Sequence, residues 1–75
     1  MMSKSIRSDH KILFGKRLRK LREQKGLSQE SLALIAGLDR TYVSGCERGR
    51  RNIGLENICK LADALGISPE LFFKD

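Results

Sequence analysis

Apolar residues along this chain recur at helical spacing, in five separate blocks. Phe14, Leu18 and Leu21 stand at i, i+4 and i+7, the stripe of an amphipathic helix expected over residues 9–25. Lys16, Arg17, Arg19, Lys20 and Arg22 decorate its other faces. A second pattern over residues 28–36 places Leu32, Ile35 and Ala36 inward, and a third over residues 39–48 does the same for Val43 and Cys46. The fourth, over residues 55–65, aligns Leu55, Ile58, Cys59, Ala62 and Leu65, with Leu61 beside them. A short fifth helix carries Leu71, Phe72 and Phe73. No stretch alternates with the period of a strand, so the expected class is all-α with five helices.

The punctuation agrees with the periodicity. Gly26, Gly37, Gly49 and Gly66 follow four successive patterns, where a left-handed residue closes a helix. Ser28 and Asp39 open the second and third helices, each with a side-chain oxygen able to take an orphan backbone N–H. Ser68-Pro69-Glu70 is a further helix start: a cap residue, a proline in the first turn, and an acid at the positive dipole end. Leu27 is expected to pack under the turn into the second helix. Two short helices joined by a tight glycine turn at Gly37-Leu38 read as a helix-turn-helix. Residues 9–75 thus form one domain. Residues 1–8 lack periodicity and are expected to be a flexible arm, with Ile6 and Arg7 either disordered or touching DNA.

Size and charge sharpen this picture. A chain of 75 residues is one domain with a small core, burying about 60–65% of its unfolded surface. A second copy covering an apolar patch is a natural expectation at that size. No apolar run approaches the roughly 20 residues that span a bilayer, and no signal-peptide pattern opens the chain, so a cytoplasmic protein with no membrane partner is expected. Cys46 and Cys59 fall on apolar helical positions and lack metal-ligand spacing, and His10 is remote from both; small buried hydrophobes are the expectation, with no metal and no cofactor. The net charge of +6 is unevenly spread. Residues 1–52 carry 13 Lys/Arg against 5 Asp/Glu, whereas residues 53–75 carry 2 against 4. A basic amino-terminal two-thirds and a slightly acidic tail point to a polyanion-binding face and a second face with another role. No nucleophile–base pair, metal cluster or P-loop is visible, so no enzyme is expected.

The run SQESLALIAGLDRTYVSGCERGRRN, residues 28–52, resembles the phage-repressor and Cro type of helix-turn-helix, the XRE family. Within it, LDRTYVSGCERGRRN is similar to the controller proteins of restriction–modification systems. The resemblance extends over about residues 11–73 and implies a lambda-repressor-like DNA-binding domain. It implies a transcriptional regulator acting as a homodimer on a pseudo-palindromic double-stranded operator, with half-sites about one helical turn, roughly 34 Å, apart. For a controller it further implies regulation of its own gene and of a neighbouring endonuclease gene. A phage-type repressor or an antitoxin of the same family is the alternative. A different class, a helix-turn-helix used as a protein-interaction module, is disfavoured by Arg40 and the basic GRRN loop.

The candidate contacts follow from this docking mode. A recognition helix enters the major groove amino end first. Arg40 is expected to read a guanine, because its fork matches O6 and N7. Thr41 and Ser44 suit bases or phosphates, and Tyr42 suits a phosphate or a deformed base step. Gln29 opens the second helix, and the resemblance implies that it clamps a backbone phosphate there. Arg48, Arg50, Arg51 and Asn52 follow the third helix as phosphate contacts that set register. Glu47 falls beside Val43 by helical angle, and the resemblance matches it with Arg22 as a buried brace. Gly45 leaves two explanations open, close approach to DNA or simple tolerance. Ile53-Gly54 departs from the family pattern of a proline followed by a Ser or Thr cap, and Gly54 caps less well. Leu65, Ile67, Leu71 and Phe72 are expected to supply a dimer interface on the acidic side, and Glu30 to touch RNA polymerase.

Overall fold

The computed structural model describes the backbone of residues 3–74 and the side chains of residues 10–74. Four α-helices follow in order: α1 (Ser3–Gln24), α2 (Gln29–Ala36), α3 (Arg40–Glu47) and α4 (Leu55–Leu65). A 3-10 turn over Pro69–Phe73 closes the fold, and no strand occurs among the described residues. The fifth helix is thus a single tight segment: Leu71 N–H donates back three residues to Ser68 C=O at 3.0 Å, and Ser68 makes no side-chain cap. Helix α1 begins six residues earlier than the expected start near Asp9. No glycine or proline interrupts residues 3–14, so nothing in the sequence stops its hydrogen-bond ladder. Met1 and Met2 of the expected arm, and the side chains of Ile6 and Arg7, lie outside the described residues.

Turn chemistry fixes the helix-turn-helix. Ser28 Oγ accepts from Ser31 N–H at 3.0 Å, and Asp39 Oδ1 accepts from Thr41 N–H at 2.8 Å, so each helix of the motif starts on a side-chain cap. Between them Gly37 takes a φ of 73°, a conformation without steric cost only for glycine, and Leu38 N–H closes the turn on Ala33 C=O at 2.9 Å. The three other glycines expected at helix ends, Gly26, Gly49 and Gly66, share this left-handed conformation.

The core is one cluster. Phe14 and Leu18 of α1, Leu32 and Ala33 of α2, Val43 and Cys46 of α3, Leu61, Ala62 and Leu65 of α4, and Phe72 of the closing turn are all buried. Phe14 meets Phe72 with ring centroids 5.0 Å apart, tying the amino-terminal helix to the end of the chain. Burial pushes the Cys46 thiol pKa above its ordinary value, so the residue stays neutral and packs as a small hydrophobe.

Two expected core assignments are corrected. Ile35 is 57% exposed and Leu34 81% exposed, whereas Ala33 is buried. At about 100° per residue, Leu32, Ala36 and Ala33 span one narrow arc, and Ile35 lies roughly 110° from its centre. The small Ala33 allows α2 to approach its neighbours along that arc. Leu55 is also exposed: it sits in the first turn of α4, where its Cβ points back beyond the helix end. Gly45 of α3, for which the sequence left close approach to DNA or tolerance open, is buried beneath a side chain of the following loop.

Candidate nucleic-acid interface

Helix α3 separates two sets of side chains. Val43 and Cys46 anchor it in the core, and Glu47 at its last turn is sequestered. Arg40, Thr41 and Arg48 are exposed, and Ser44 is half-buried on the same helix. The amino end of α3 is secured by Asp39, whose carboxylate takes both the N–H and the hydroxyl of Thr41, the latter at 2.6 Å. Those two bonds hold the Asp39 pKa below its ordinary value. The Thr41 donor is therefore committed to the cap, leaving its methyl group and both oxygen lone pairs available.

The carboxyl end of α3 is held by a polar brace. Arg22 Nε and Nη2 reach Glu47 Oε2 and Oε1 at 2.5 and 3.0 Å, a bidentate pair whose side chains are only 10% and 4% exposed. Arg22 Nη1 donates to Leu27 C=O at 2.8 Å, and Gln29 Nε2 donates to Glu47 Oε1 at 3.0 Å. One carboxylate thereby joins α1, the entry to α2 and the end of α3. The hydrogen bonding that Arg22 donates to Glu47, opposed by burial, raises the Arg22 pKa above its ordinary value, so the guanidinium remains charged. Gln29 is half-buried at the first position of α2, its amide oriented by Glu47.

Beyond α3 the exposed Arg50, Arg51 and Asn52 continue the basic face begun by Arg40 and Arg48. The structure thus places eight of the nine expected contacts on α3 and its following loop, with Gln29 at the adjoining helix start.

A helix-turn-helix family model matches residues 18–72. Control protein C.MunI of Mycoplasma is 49% identical over 69 residues, covering 91% of this chain and 93% of that protein. The crystal structure of the restriction–modification controller protein C.AhdI from Aeromonas hydrophila superposes with a TM-score of 0.83 at 60% identity, covering 84% of this chain and 96% of that one. The chain belongs to the helix-turn-helix controller proteins. A further member, the controller C.Esp1396I, has been solved as a tetramer in complex with its natural 35-base-pair operator; it superposes with a TM-score of 0.79 at 36% identity, covering 85% of this chain and 84% of that one.

Several features of this controller-family interface escaped sequence reasoning. Asn57 Nδ2 donates to the Tyr42 hydroxyl at 3.0 Å, so the Tyr42 oxygen is engaged by α4. The guanidinium carbon of Arg51 stands 5.3 Å from the Tyr42 ring centroid, within cation–π range. Gly15 lies beneath the end of α3: a Cβ there would stand 2.5 Å from both Cys46 O and Glu47 O. Its signal was a glycine inside a strongly patterned helix, which marks a close approach of another chain segment. Nothing in the sequence pointed to Asn57.

The expected dimer surface also changes. Leu65 and Phe72 are each 3% exposed and belong to the core of one chain, because Phe72 is needed to cover Phe14 and Leu65 faces inward with Leu61. Ile67 is half-buried and Leu71 lies at the surface. The larger apolar exposures nearby are Phe73, at 66%, and Leu13 of α1. No helix among the described residues is long and apolar enough to cross a membrane.

Proposed function

We propose that this protein is a sequence-specific DNA-binding transcriptional regulator, a restriction–modification controller that binds a pseudo-palindromic operator as a homodimer. The observation that carries it is the division of labour along α3. Its apolar residues and Glu47 are consumed in holding the helix, while Arg40, Thr41, Ser44 and Arg48 are left outward and continue into Arg50, Arg51 and Asn52. Arg40, first in the helix and exposed, reads a guanine edge. Thr41 offers its methyl group to a thymine, and Ser44 a hydroxyl to base or phosphate. Arg48, Arg50, Arg51 and Asn52 neutralise or bond phosphates, and Gln29 presents its amide to one at the start of α2. The likeness to a controller solved on its operator supports the same docking here.

Dimerisation through the surface formed by Leu71, Phe73 and Leu13 would set two α3 helices toward successive major-groove turns. Glu30, exposed in the first turn of α2, is the candidate contact to RNA polymerase in activation. Such a contact would show as a transcription defect in Glu30→Ala at unchanged operator affinity.

The deciding test is selection of bound sites from random duplex, followed by affinity at two salt concentrations. Binding should fall steeply with salt, because phosphate neutralisation releases counterions. Arg40→Ala should lose about 1–3 kcal/mol on the selected site and relax preference at one base pair per half-site. Retention of full base preference in Arg40→Ala would overturn α3 as the reading helix.

A further inference from the structure

The loop after α3 doubles back along that helix. Gly49 takes a φ of 73°, and Arg50 N–H donates to Gly45 C=O at 2.9 Å, so Arg51 starts beside the middle of α3. Its side chain then lies across Gly45. A Cβ built at residue 45 would stand 2.9 Å from Arg51 Cγ and 3.0 Å from Arg51 Nε. The far end of the same side chain faces the Tyr42 ring, which Asn57 holds by its hydroxyl.

We propose that Gly45 is a positioning residue: its missing side chain is the seat that holds Arg51 flat along α3 against Tyr42. The guanidinium is thereby presented to DNA as a fixed part of the α3 surface. The inference rests on the proposed DNA role of Arg51 and adds how that side chain is placed. A long arginine free in a loop loses rotamer freedom when it binds, and one already laid on an aromatic face loses less. Glycine inside a helix is otherwise disfavoured relative to alanine, and Gly45 lies in ordinary helical backbone that alanine also adopts. The seat therefore has an unusual signature: filling it favours the helix and harms binding.

The test is a double-mutant cycle on the full chain with Gly45→Ala, Arg51→Ala and the pair, read by thermal melting and by affinity for the duplex selected from random DNA. Gly45→Ala is expected to keep or raise the melting temperature while weakening binding by roughly 2- to 10-fold, the worth of one pre-ordered long side chain. In the Arg51→Ala background the same substitution should change affinity no further. A proton NMR spectrum of the free protein supplies a second measurement. Arg51 Hδ resonances should be shifted upfield by the Tyr42 ring in the wild type and should relax toward random-coil positions in Gly45→Ala.

Wild-type affinity in Gly45→Ala, full additivity in the pair, or unshifted Arg51 resonances in the wild type would each overturn the seat. An Arg51→Ala variant that binds normally would overturn it too, while leaving the reading of α3 through Arg40 intact. Failure of the functional proposal itself looks different: the wild-type protein would show no salt-dependent duplex binding at all.

Discussion

A methyl group at residue 15 would meet two backbone carbonyls of α3 at 2.5 Å, and backbone at a helix end cannot give way as a side chain can. Gly15→Ala should therefore destabilise the fold by about 1–3 kcal/mol in denaturant unfolding, against the direction of helix propensity. The Arg22–Glu47 pair is comparably exposed to single changes. Glu47→Ala strands a buried guanidinium and removes the partner of Gln29, so a loss of about 3–5 kcal/mol is expected; a loss under about 1 would identify an ordinary surface pair. Asp39 gives the molecule an acid-sensitive cap. Its native pKa lies below its ordinary value, so its contribution is present above the ordinary aspartate range and is lost as pH falls through the native value. Asp39→Asn keeps a capping oxygen without the titration. Wild type should lose stability on acidification relative to that variant, measured by urea unfolding at stepped pH.

At the scale of elements, the four α-helices and the glycines that close them were legible in the sequence, because periodicity and turn chemistry are local properties. Helix phase was less so. In α2 the larger residues Leu34 and Ile35 point outward while Ala33 and Ala36 pack beside Leu32, since the helix is rotated to bury the Leu32–Ala33–Ala36 arc. Hydrophobicity ranks Ile35 above Ala33, and only the neighbouring helices decide between them. Substituting serine for Leu34 or Ile35 should thus shift stability by within about 0.5 kcal/mol, whereas Leu32→Ala should cost about 2–5 kcal/mol. The same limit explains Leu65 and Phe72, whose apolar character suited a core or an interface equally well. The loop posed a harder problem. That Arg51 turns back over Gly45 depends on the Gly49 conformation and a bond from Arg50, geometry that no count of arginines contains.

Across the whole molecule, charge divides between a basic amino-terminal part and a slightly acidic carboxyl-terminal part. Helices α1 to α3 and the GRRN loop hold most of the positive charge, while α4 and the closing turn have more acids than bases and leave Phe73 exposed. Phe73→Glu should shift the proposed dimer to monomer in sedimentation without unfolding it, because Phe72 is the ring buried in the core, whereas Phe73 stays 66% exposed beside Phe14, at a ring-centroid distance of 6.0 Å. Operator affinity should fall with it, since two half-sites are then read independently. The polar brace has a consequence for how such a regulator acquires new targets. Glu47 is neutralised within the fold and the apolar anchors of α3 are interleaved with its outward residues, so in the proposed docking residues 40, 44 and 48 form an exchangeable text on a fixed carrier. Duplicate genes of this kind could diverge to separate operators by rewriting those three letters, each change nearly silent in stability. Cross-talk between two such systems in one cell would then be governed by a handful of side chains rather than by the architecture beneath them.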